Sequence, residues 1–363
     1  MKRILHIMNG AVSGGISKVV LTICESLKYD DVVYDCAVYN GQLGTNGRYL
    51  EKLGCNFFVL PLKSRYPIRY MRQLRKILAE GQYDVVHVHY NDTSYYPLFI
   101  AKFAGVNIRI AHAHTNRSGR GLKYMAISRL RHLLIRVSAT TLAACSKEAA
   151  ISVFGKSASE KAVLINNSIN VEVFRFNEET RVSLRDSLGL GSRLVLGCVG
   201  NLGEEKNVSF AIQVLNRLIK QGIDASLVLV GDGPEKERLE TMCRSLGIKE
   251  NVLFLGRCSD VQRYLNVFDV FLMPSLYEGF GFAALEAICS GLPALLSTNI
   301  PRDFSFYPFV YYLRLEDGPE SWAEAIAHAN RTHNRKDAAD IVRRNGYDKS
   351  ALRSCIQKLY SLS

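Results

Sequence analysis

The first half of the chain alternates short apolar runs with longer stretches of helical periodicity. The runs that predict β-strands are RILHIM, YDCAVYN, NFFVLPL, DVVHVHY, IRIAHAH and a short run at 162–165. Apolar residues spaced three and four apart predict helices between these runs, as in SKVVLTICESL and YMRQLRKILAEG. Strands and helices in this alternation favour a parallel sheet covered by helices on both faces.

The same alternation begins again after a polar stretch, NNSINVEVFRFNEETR, which predicts a connection between two domains. The later predicted strands are RLVLGCVG, ASLVLVGDGP, VLFLGR, VFLMP and PALLS, and the later predicted helices include SFAIQVLNRLIKQG, EKERLETMCRSLG and DVQRYLNVF. The sequence therefore predicts an α/β protein of two doubly wound, Rossmann-like domains that face each other across a cleft. We place the first domain at 1–176 and the second at 177–347.

The composition of the 363 residues is that of a globular protein, with 48% hydrophobic and 22% charged residues. No run of eighteen apolar residues occurs, which argues against a membrane-spanning helix. The start, MKRILHIMNG, has the basic residues of a secretory signal, but His6 and Asn9 interrupt its apolar stretch and favour a buried first strand. Nine cysteines without a C-x-x-C pair predict reduced thiols and a cytoplasmic protein.

The net charge of +12 is concentrated in the first half of the chain. Residues 1–176 contain 24 basic and 11 acidic residues, and the windows 53–79 and 93–147 contain no acid. A predicted helix in the second window is basic on one side and apolar on the other. Docking on an anionic membrane surface is one interpretation, and a solvated helix face is the other. No recognised module supports nucleic-acid binding. The basic residues of this segment are Arg117, Arg120, Lys123, Arg129, Arg131 and Arg136.

The window FLMPSLYEGFGFAALEAICSGLPALLS combines two carboxylates with a predicted strand-to-helix break. Glu278 lies in the break, a helix is predicted to begin near Gly281, and Glu286 lies on that helix. The unpaired amides at a helix start, beside glycine backbone, suit an anionic phosphate, while carboxylates accept hydrogen bonds from hydroxyl groups. The combination predicts a nucleotide-sugar site.

The pattern P-S-x-x-E-G-F-G, followed by Glu286 and G-L-P, resembles the signature of retaining glycosyltransferases of family 4, which have the two-domain GT-B fold. The resemblance implies that Glu286 binds the ribose hydroxyls of the donor and that Glu278 contacts hydroxyls of the transferred sugar. It also implies that the last helix, 348–363, completes the first domain. Further donor-binding residues in this window are Gly279, Phe280, Gly281 and Phe282.

The resemblance extends to other loops at strand ends. Gly14 and Gly15 match the glycines of the first loop, and Lys206 matches a lysine that clamps the donor diphosphate. Asn201 stands where the family usually has an arginine, so one positive charge is missing there. The loop of Arg257 and Cys258 is expected to meet the nucleotide base.

Histidines occur in two pairs with a spacing of two residues at predicted strand ends. His87 and His89 are expected to be core or loop-anchoring side chains. The resemblance places one histidine of the second pair near the donor sugar, with His112 preferred and His114 as the alternative. The expected catalytic residues are therefore His112, Glu278 and Lys206, and no metal site is expected because GT-B relatives need no metal for transfer.

The resemblance implies an activity in capsular or exopolysaccharide synthesis. The donor would be a nucleoside-diphosphate sugar, with a UDP-sugar as the first candidate, and no further cofactor would be needed. The acceptor would be a saccharide or a polyprenyl-diphosphate-linked sugar at the inner face of the cell membrane, where the basic first domain would dock. Two alternatives stay open: a sugar-nucleotide epimerase of the same fold and a weakly catalytic binding subunit.

Overall fold

The computed structural model describes residues 1–11, 15–28, 30–114, 122–329 and 334–362. The chain divides into two compact units. The first unit comprises residues 1–168 and 349–363, and the second comprises residues 169–348.

The first unit is built on a parallel sheet with the strand order β3-β2-β1-β4-β5-β6-β7. Its strands are β1 (Lys2–Ala11), β2 (Val32–Leu43), β3 (Asn56–Val59), β4 (Val85–Val88), β5 (Ile108–Ala113), β6 (Thr141–Ala144) and β7 (Val163–Leu164). Its helices are α1 (Gly15–Ser26), α2 (Thr45–Lys52), α3 (Pro67–Gly81), α4 (Tyr95–Phe103), α5 (Leu122–Ser138), α6 (Lys147–Phe154), α7 (Lys156–Ser159) and, near the end of the chain, α15 (Lys349–Leu359).

Alternation along the central strands separates two faces of this sheet. One face presents Leu5, Ile7, Val86 and Val88, which pack with apolar residues of α3, α4, α5 and α6 in one buried cluster. The residues between them, such as His6 and the histidines of β4 and β5, belong to the opposite face. That face therefore carries several histidines among its apolar side chains although it is buried.

The second unit is built on a parallel sheet with the strand order β10-β9-β8-β11-β12-β13. Its strands are β8 (Leu194–Val199), β9 (Ala225–Val230), β10 (Val252–Gly256), β11 (Val270–Met273), β12 (Ala294–Ser297) and β13 (Val310–Leu313). Its helices are α8 (Glu178–Ser187), α9 (Val208–Lys220), α10 (Lys236–Ser245), α11 (Val261–Val267), α12 (Phe282–Cys289), α13 (Gly318–His328) and α14 (Ala338–Arg344).

Two apolar clusters, one on each face, hold the second sheet between its helices. Trp322 of α13 packs with α9 on one face, and Phe268 and Phe271 pack with α12 and α14 on the other. Strands buried on both sides explain why the predicted runs in this half are continuously apolar. Both sheets reverse strand order at their centre, which gives the two Rossmann-like units that the sequence predicts.

The structure draws the boundary between the units at residues 168 and 169, eight residues before the position expected from the sequence. Residues 169–176 pack on the second unit: Ile169 pairs with Asp348, and Val171 and Phe174 enter the cluster that contains Cys289. The polar composition of this segment hides its three buried apolar side chains. All nine cysteines are free thiols.

Candidate functional site

The carboxyl ends of β8 and β11 meet at the point where the strand order of the second sheet reverses, which is where parallel α/β sheets bind ligands. The loops that follow the two strands lie side by side. The amide of Leu276 donates to the carbonyl of Glu205 at 2.8 Å, and the side-chain amide of Asn207 donates to the carbonyl of Pro274 at 3.2 Å. These bonds fix the positions of the residues between them.

Lys206 and Glu278 form an ion pair across these two loops. The ammonium group donates to Oε1 of Glu278, and the hydroxyl of Ser275 donates to the same oxygen at 3.1 Å. The side chains are 23% and 12% exposed, so water screens the pair only in part. The structure thus brings together two of the predicted catalytic residues, which are 72 positions apart in sequence.

The turn that follows β9 is hydrogen-bonded to the loop that follows β8 and contains Asn201. The amide of Gly200 donates to Val230 and that of Leu202 donates to Asp232, each at 3.0 Å. Gly231 has φ of +150°, and a Cβ at this position would lie 1.7 Å from the carbonyl oxygen of Gly200. This turn therefore has a structural role. Asn201 remains exposed, and it lines one pocket together with Lys206.

We expect Gly231→Ala to destabilise the protein by roughly 2–5 kcal/mol, because the change adds a clash to an unfavourable φ. The matched control is Gly222→Ala, since Gly222 also has a positive φ of +80° but open space around the added methyl group. That change should cost only about 1–2 kcal/mol. Urea unfolding of both variants measures the difference, and equal losses would show that the close approach to Gly200 does not matter.

The glycine-rich turn before α12 has the conformation expected for a helix start. Gly281 is the N-cap residue with φ of +93°, a conformation that favours glycine, and the helix begins at Phe282 as predicted. Phe280 is only 7% exposed and packs against Phe304 and Tyr347. Its side chain holds the turn in place, so only the backbone of Phe280 is left for the donor role expected of it.

The remaining predicted donor-binding residues of the second unit lie at different distances from the ion pair. Glu286 is partly buried on α12, one turn after the helix start. Arg257 is exposed and Cys258 partly exposed after β10, which is the edge strand. Two strand spacings separate β10 from β8, about 10 Å. Arg257 and Cys258 are thus at the periphery of the site, whereas Glu286 lies on the helix that follows β11, one of the two strands at the switch point.

In the first unit, the corresponding strand ends are those of β1 and β4. Gly14 lies outside the described residues. Gly15 is the first residue of α1 and is exposed, and no atom of the described residues beyond its own helix lies within 4 Å of the position that a side chain would take. The loop glycine thus stands at a helix start, and its role toward a phosphate stays a prediction.

Five histidines form a cluster on the face of the first sheet opposite Leu5 and Ile7. His6 of β1 is paired in register with His87 of β4, His112 lies on β5, and His89 and His114 directly follow β4 and β5. Sequence reasoning did not connect His6 with the others, because the adjacency of β1 and β4 is set by the fold. The five members of this histidine cluster are His6, His87, His89, His112 and His114.

Hydrogen bonds link the histidine cluster into two chains. In one, Tyr360 bonds to Nδ1 of His87 at 2.7 Å, and Nε2 of His87 bonds to Nδ1 of His112 at 3.1 Å. In the other, the members are His6, His89 and His114, with nitrogen separations of 3.1 and 2.8 Å. Burial lowers the pKa of every member, to about 3 for the first and last of the second chain.

This arrangement conflicts with the expected catalytic role of His112. The side chain is 1% exposed and its Nδ1 is engaged with His87, so it does not reach a substrate at the surface. His114 is partly exposed. His87 and His89 are buried, as the sequence predicted.

The basic windows of the first unit divide into buried and exposed charges. Lys63 lies 3.7 Å from the ring centre of Tyr90 and donates to the hydroxyl of Thr93, and burial lowers its pKa to about 8. Arg131 forms an ion pair with Asp92. Arg129 and Arg136 of α5 are exposed, whereas Arg117, Arg120 and the side chain of Lys123 fall outside what the structure describes.

Helix α5 also exposes an apolar stripe. Ile127, Leu130, Leu133 and Val137 are each about half exposed, and Leu130 reaches 57%. The neighbouring α4 adds Phe99 and Phe103, whose rings are 4.6 Å apart. Within the described ranges, every helix is too short or too polar to cross a bilayer.

Two family models match the chain by sequence. The model described as Glycosyltransferase Family 4 matches residues 13–173, and the model described as Glycosyl transferases group 1 matches residues 182–302. The putative glycosyltransferase EpsF of Bacillus subtilis strain 168 is 30% identical over 100% of this chain and 97% of its own. The UDP-Gal:alpha-D-GlcNAc-diphosphoundecaprenol alpha-1,3-galactosyltransferase of Escherichia coli is 26% identical over 81% of this chain and 79% of its own.

Solved structures agree in fold over nearly the whole chain. Anabaena Alr3699/HepE in complex with UDP and glucose matches with a TM-score of 0.80 at 18% identity, covering 100% of both chains. A glycosyltransferase from Rickettsia africae matches with a TM-score of 0.83 at 15% identity, covering 99% of this chain and 98% of its own. At such low identities, the structural similarity establishes only the fold. The family assignment rests on the sequence matches. The chain therefore belongs to the family 4 glycosyltransferases and has the GT-B fold.

Proposed function

We propose that this glycosyltransferase moves a sugar from a nucleoside-diphosphate sugar to a saccharide carried on a polyprenyl diphosphate. A UDP-sugar is the first candidate for the donor. The transfer would retain the anomeric configuration and serve cell-surface polysaccharide synthesis. The observation that carries the proposal is the ion pair of Lys206 and Glu278 at the switch point of the second sheet. No cofactor beyond the donor is part of the proposal.

The leaving diphosphate gains negative charge as the anomeric C–O bond breaks, so a fixed cation beside it stabilises the transition state. Lys206 is such a cation, and Glu278 holds its ammonium group in place before the donor arrives. The second partner of Glu278, the hydroxyl of Ser275, orients the carboxylate. In the proposed complex the diphosphate becomes a further partner of Lys206, and the other carboxylate oxygen of Glu278 accepts a hydrogen bond from the sugar.

Asn201 lies on the wall of the same pocket as Lys206. A side-chain amide donates a hydrogen bond but carries no charge, so it contributes less to a charged leaving group than an arginine. The proposed clamp therefore depends on Lys206 more than it would if both positions were basic. The α12 amides behind Gly281 supply further donors at the same edge of the sheet.

The names of the relatives support the choice of substrates. The Escherichia coli relative is named for a UDP-Gal donor and a diphosphoundecaprenol-linked acceptor, and Anabaena HepE was solved with UDP and glucose. Thermal unfolding with a small panel of UDP-, GDP- and ADP-sugars tests the donor class. A ligand at about 100 times its Kd adds roughly 2.7 kcal/mol of stability, so a UDP-sugar should raise the unfolding midpoint clearly. No shift with any of the three classes would argue against the donor site.

The exposed stripe of α5 fits a protein that works on a lipid-linked acceptor. Half-exposed Leu130 and Leu133 could enter the headgroup boundary of an anionic bilayer while Arg129 and Arg136 meet the lipid phosphates. Each basic residue near such a surface contributes about 1 kcal/mol, and salt weakens this contribution. The solvated-face alternative predicts no binding to vesicles.

We expect the double change Arg129→Gln and Arg136→Gln to lower binding to anionic vesicles by about one to two orders of magnitude at low salt. Arg131 is left unchanged because it is paired with Asp92. Co-sedimentation with vesicles measures the effect. The control is Arg238→Gln with Arg244→Gln, two exposed arginines of α10 in the second unit. Binding that is equal on neutral and anionic vesicles, or equal in both double variants, would rule out this docking surface.

A further inference from the structure

The histidine cluster is unexplained by the transfer reaction. It places five imidazoles on one buried sheet face, where apolar side chains normally cover a parallel sheet. Each nitrogen buried there must find a partner, or its desolvation costs free energy. Among the described residues, Nε2 of His6 and Nε2 of His112 have no hydrogen-bond partner. The hydrogen-bonded chains therefore do not satisfy the cluster by themselves.

We propose that His89, His112 and His114 bind one divalent transition-metal ion, with Zn²⁺ as the first choice. One ring nitrogen from each of the three lies within 4.8 Å of the other two. Zinc binds imidazole nitrogens at about 2.0–2.1 Å, so tetrahedral ligands lie roughly 3.3–3.4 Å apart. His89 and His114 have nitrogens 2.8 Å apart, and a separation of about half an ångström more admits the ion.

The rest of the cluster supports these three ligands. His89 uses Nδ1 toward His114, and its Nε2 is 3.1 Å from Nδ1 of His6. His112 uses Nδ1 toward His87, which leaves its unpartnered Nε2 for the ion. Hydrogen bonds of this kind fix the tautomer and the ring orientation of metal-binding histidines. His6 and His87 therefore act as positioning residues.

Tyr360 extends this support to the end of the chain. Its hydroxyl is 2.7 Å from Nδ1 of His87, and its side chain is completely buried. The bond from Tyr360 through His87 to His112 sets which nitrogen of His112 stays free. The segment that follows α15 thus has a part in shaping the proposed metal site.

A second set of three histidines has similar spacing, and burial decides between the two. His6, His87 and His89 also place one nitrogen each within 4.8 Å of the others, but all three are completely buried. His114 is partly exposed, which gives an ion an entry path and leaves a coordination position for water or another oxygen ligand. Three imidazoles without a carboxylate suit Zn²⁺, Ni²⁺ or Cu²⁺ and disfavour Mg²⁺ and Ca²⁺.

The test uses the full-length protein without a polyhistidine tag, stripped with a chelator and then equilibrated with Zn²⁺ or Co²⁺. We expect one ion per chain by elemental analysis and a Co²⁺ absorption spectrum of a nitrogen-ligated, low-coordinate ion. His114→Gln and His112→Gln should each weaken Zn²⁺ binding at least 100-fold. His6→Gln, which alters a positioning residue, should weaken it roughly 10–100-fold.

The control is His328→Gln, because His328 is an exposed histidine of the second unit. A rise in the thermal midpoint of the unmodified protein with Zn²⁺ gives a readout that does not depend on the folding of any variant. Less than one ion per chain, or equal binding by His114→Gln and His328→Gln, would overturn the proposal. Complete loss in His6→Gln with full binding by His114→Gln would place the ion in the other set and overturn this assignment.

Discussion

Replacing Lys206 by alanine should lower the turnover number by roughly two orders of magnitude or more, the size expected for the loss of one preorganised charge beside a leaving group. The structure adds a reason for a large effect. Glu278 is only 12% exposed, and without its partner the carboxylate remains partly buried, with the hydroxyl of Ser275 as a hydrogen-bond donor. The donor diphosphate would then approach an uncompensated negative charge. Steady-state kinetics with the best donor of the panel measure the change.

The matched control for this prediction is Lys249→Ala, an exposed lysine of the same unit. Thermal unfolding of both variants separates loss of catalysis from loss of folding. Lys206→Arg keeps the charge but changes its geometry, so an intermediate rate is expected. Turnover of Lys206→Ala within a factor of about three of the unmodified protein would mean that the Glu204–Lys206 turn is structural only.

Replacing Glu286 by alanine should weaken binding of the donor nucleotide roughly tenfold to a hundredfold. Hydrogen bonds to a charged group contribute about 1.5–3 kcal/mol, and each 1.4 kcal/mol is a factor of ten in affinity. The position of Glu286 on α12, one turn after Gly281, places it beside the amides proposed to bind the phosphates. Isothermal titration with UDP measures the affinity.

Glu324→Ala is the control for the Glu286 variant, because Glu324 is an exposed glutamate in the middle of a helix of the same unit. It matches the loss of charge and the gain in helix propensity. Glu286→Gln should lie between the two, since its amide oxygen still accepts a hydrogen bond without the charge. UDP affinity that is the same for Glu286→Ala and Glu324→Ala in folded protein would remove the ribose role.

The sequence predicted the architecture well because its signals are local. Continuous apolar strands such as β9 and β11 and helix starts such as Gly281 depend on residues close in the chain. Two strands were missed. β6 has only four residues, three of them small, and β13 lies in a segment crowded with aromatic residues, so neither has a clear periodic pattern.

The parts of the site that escaped prediction depend on which strands become neighbours. The pairing of Lys206 with Glu278 needs β8 next to β11, and the histidine cluster needs β1 next to β4. His112 illustrates the difference: its spacing identified a strand end, but its burial and its bond to His87 are set by neighbouring strands. Similarly, the pairing of Arg131 with Asp92 removes a charge that the sequence counted on the basic face.

The most direct test of the central claim follows the anomeric proton of the sugar by NMR while the protein acts on an α-linked UDP-sugar and a polyprenyl-diphosphate-linked acceptor. The account predicts that the donor signal is replaced by that of an α-glycoside, with one UDP released per glycoside formed, and that Lys206→Ala slows this exchange. A β-glycoside product would contradict retention. Conversion of the donor to an epimer without glycoside formation, or no consumption of any nucleotide sugar, would contradict the proposed transfer itself.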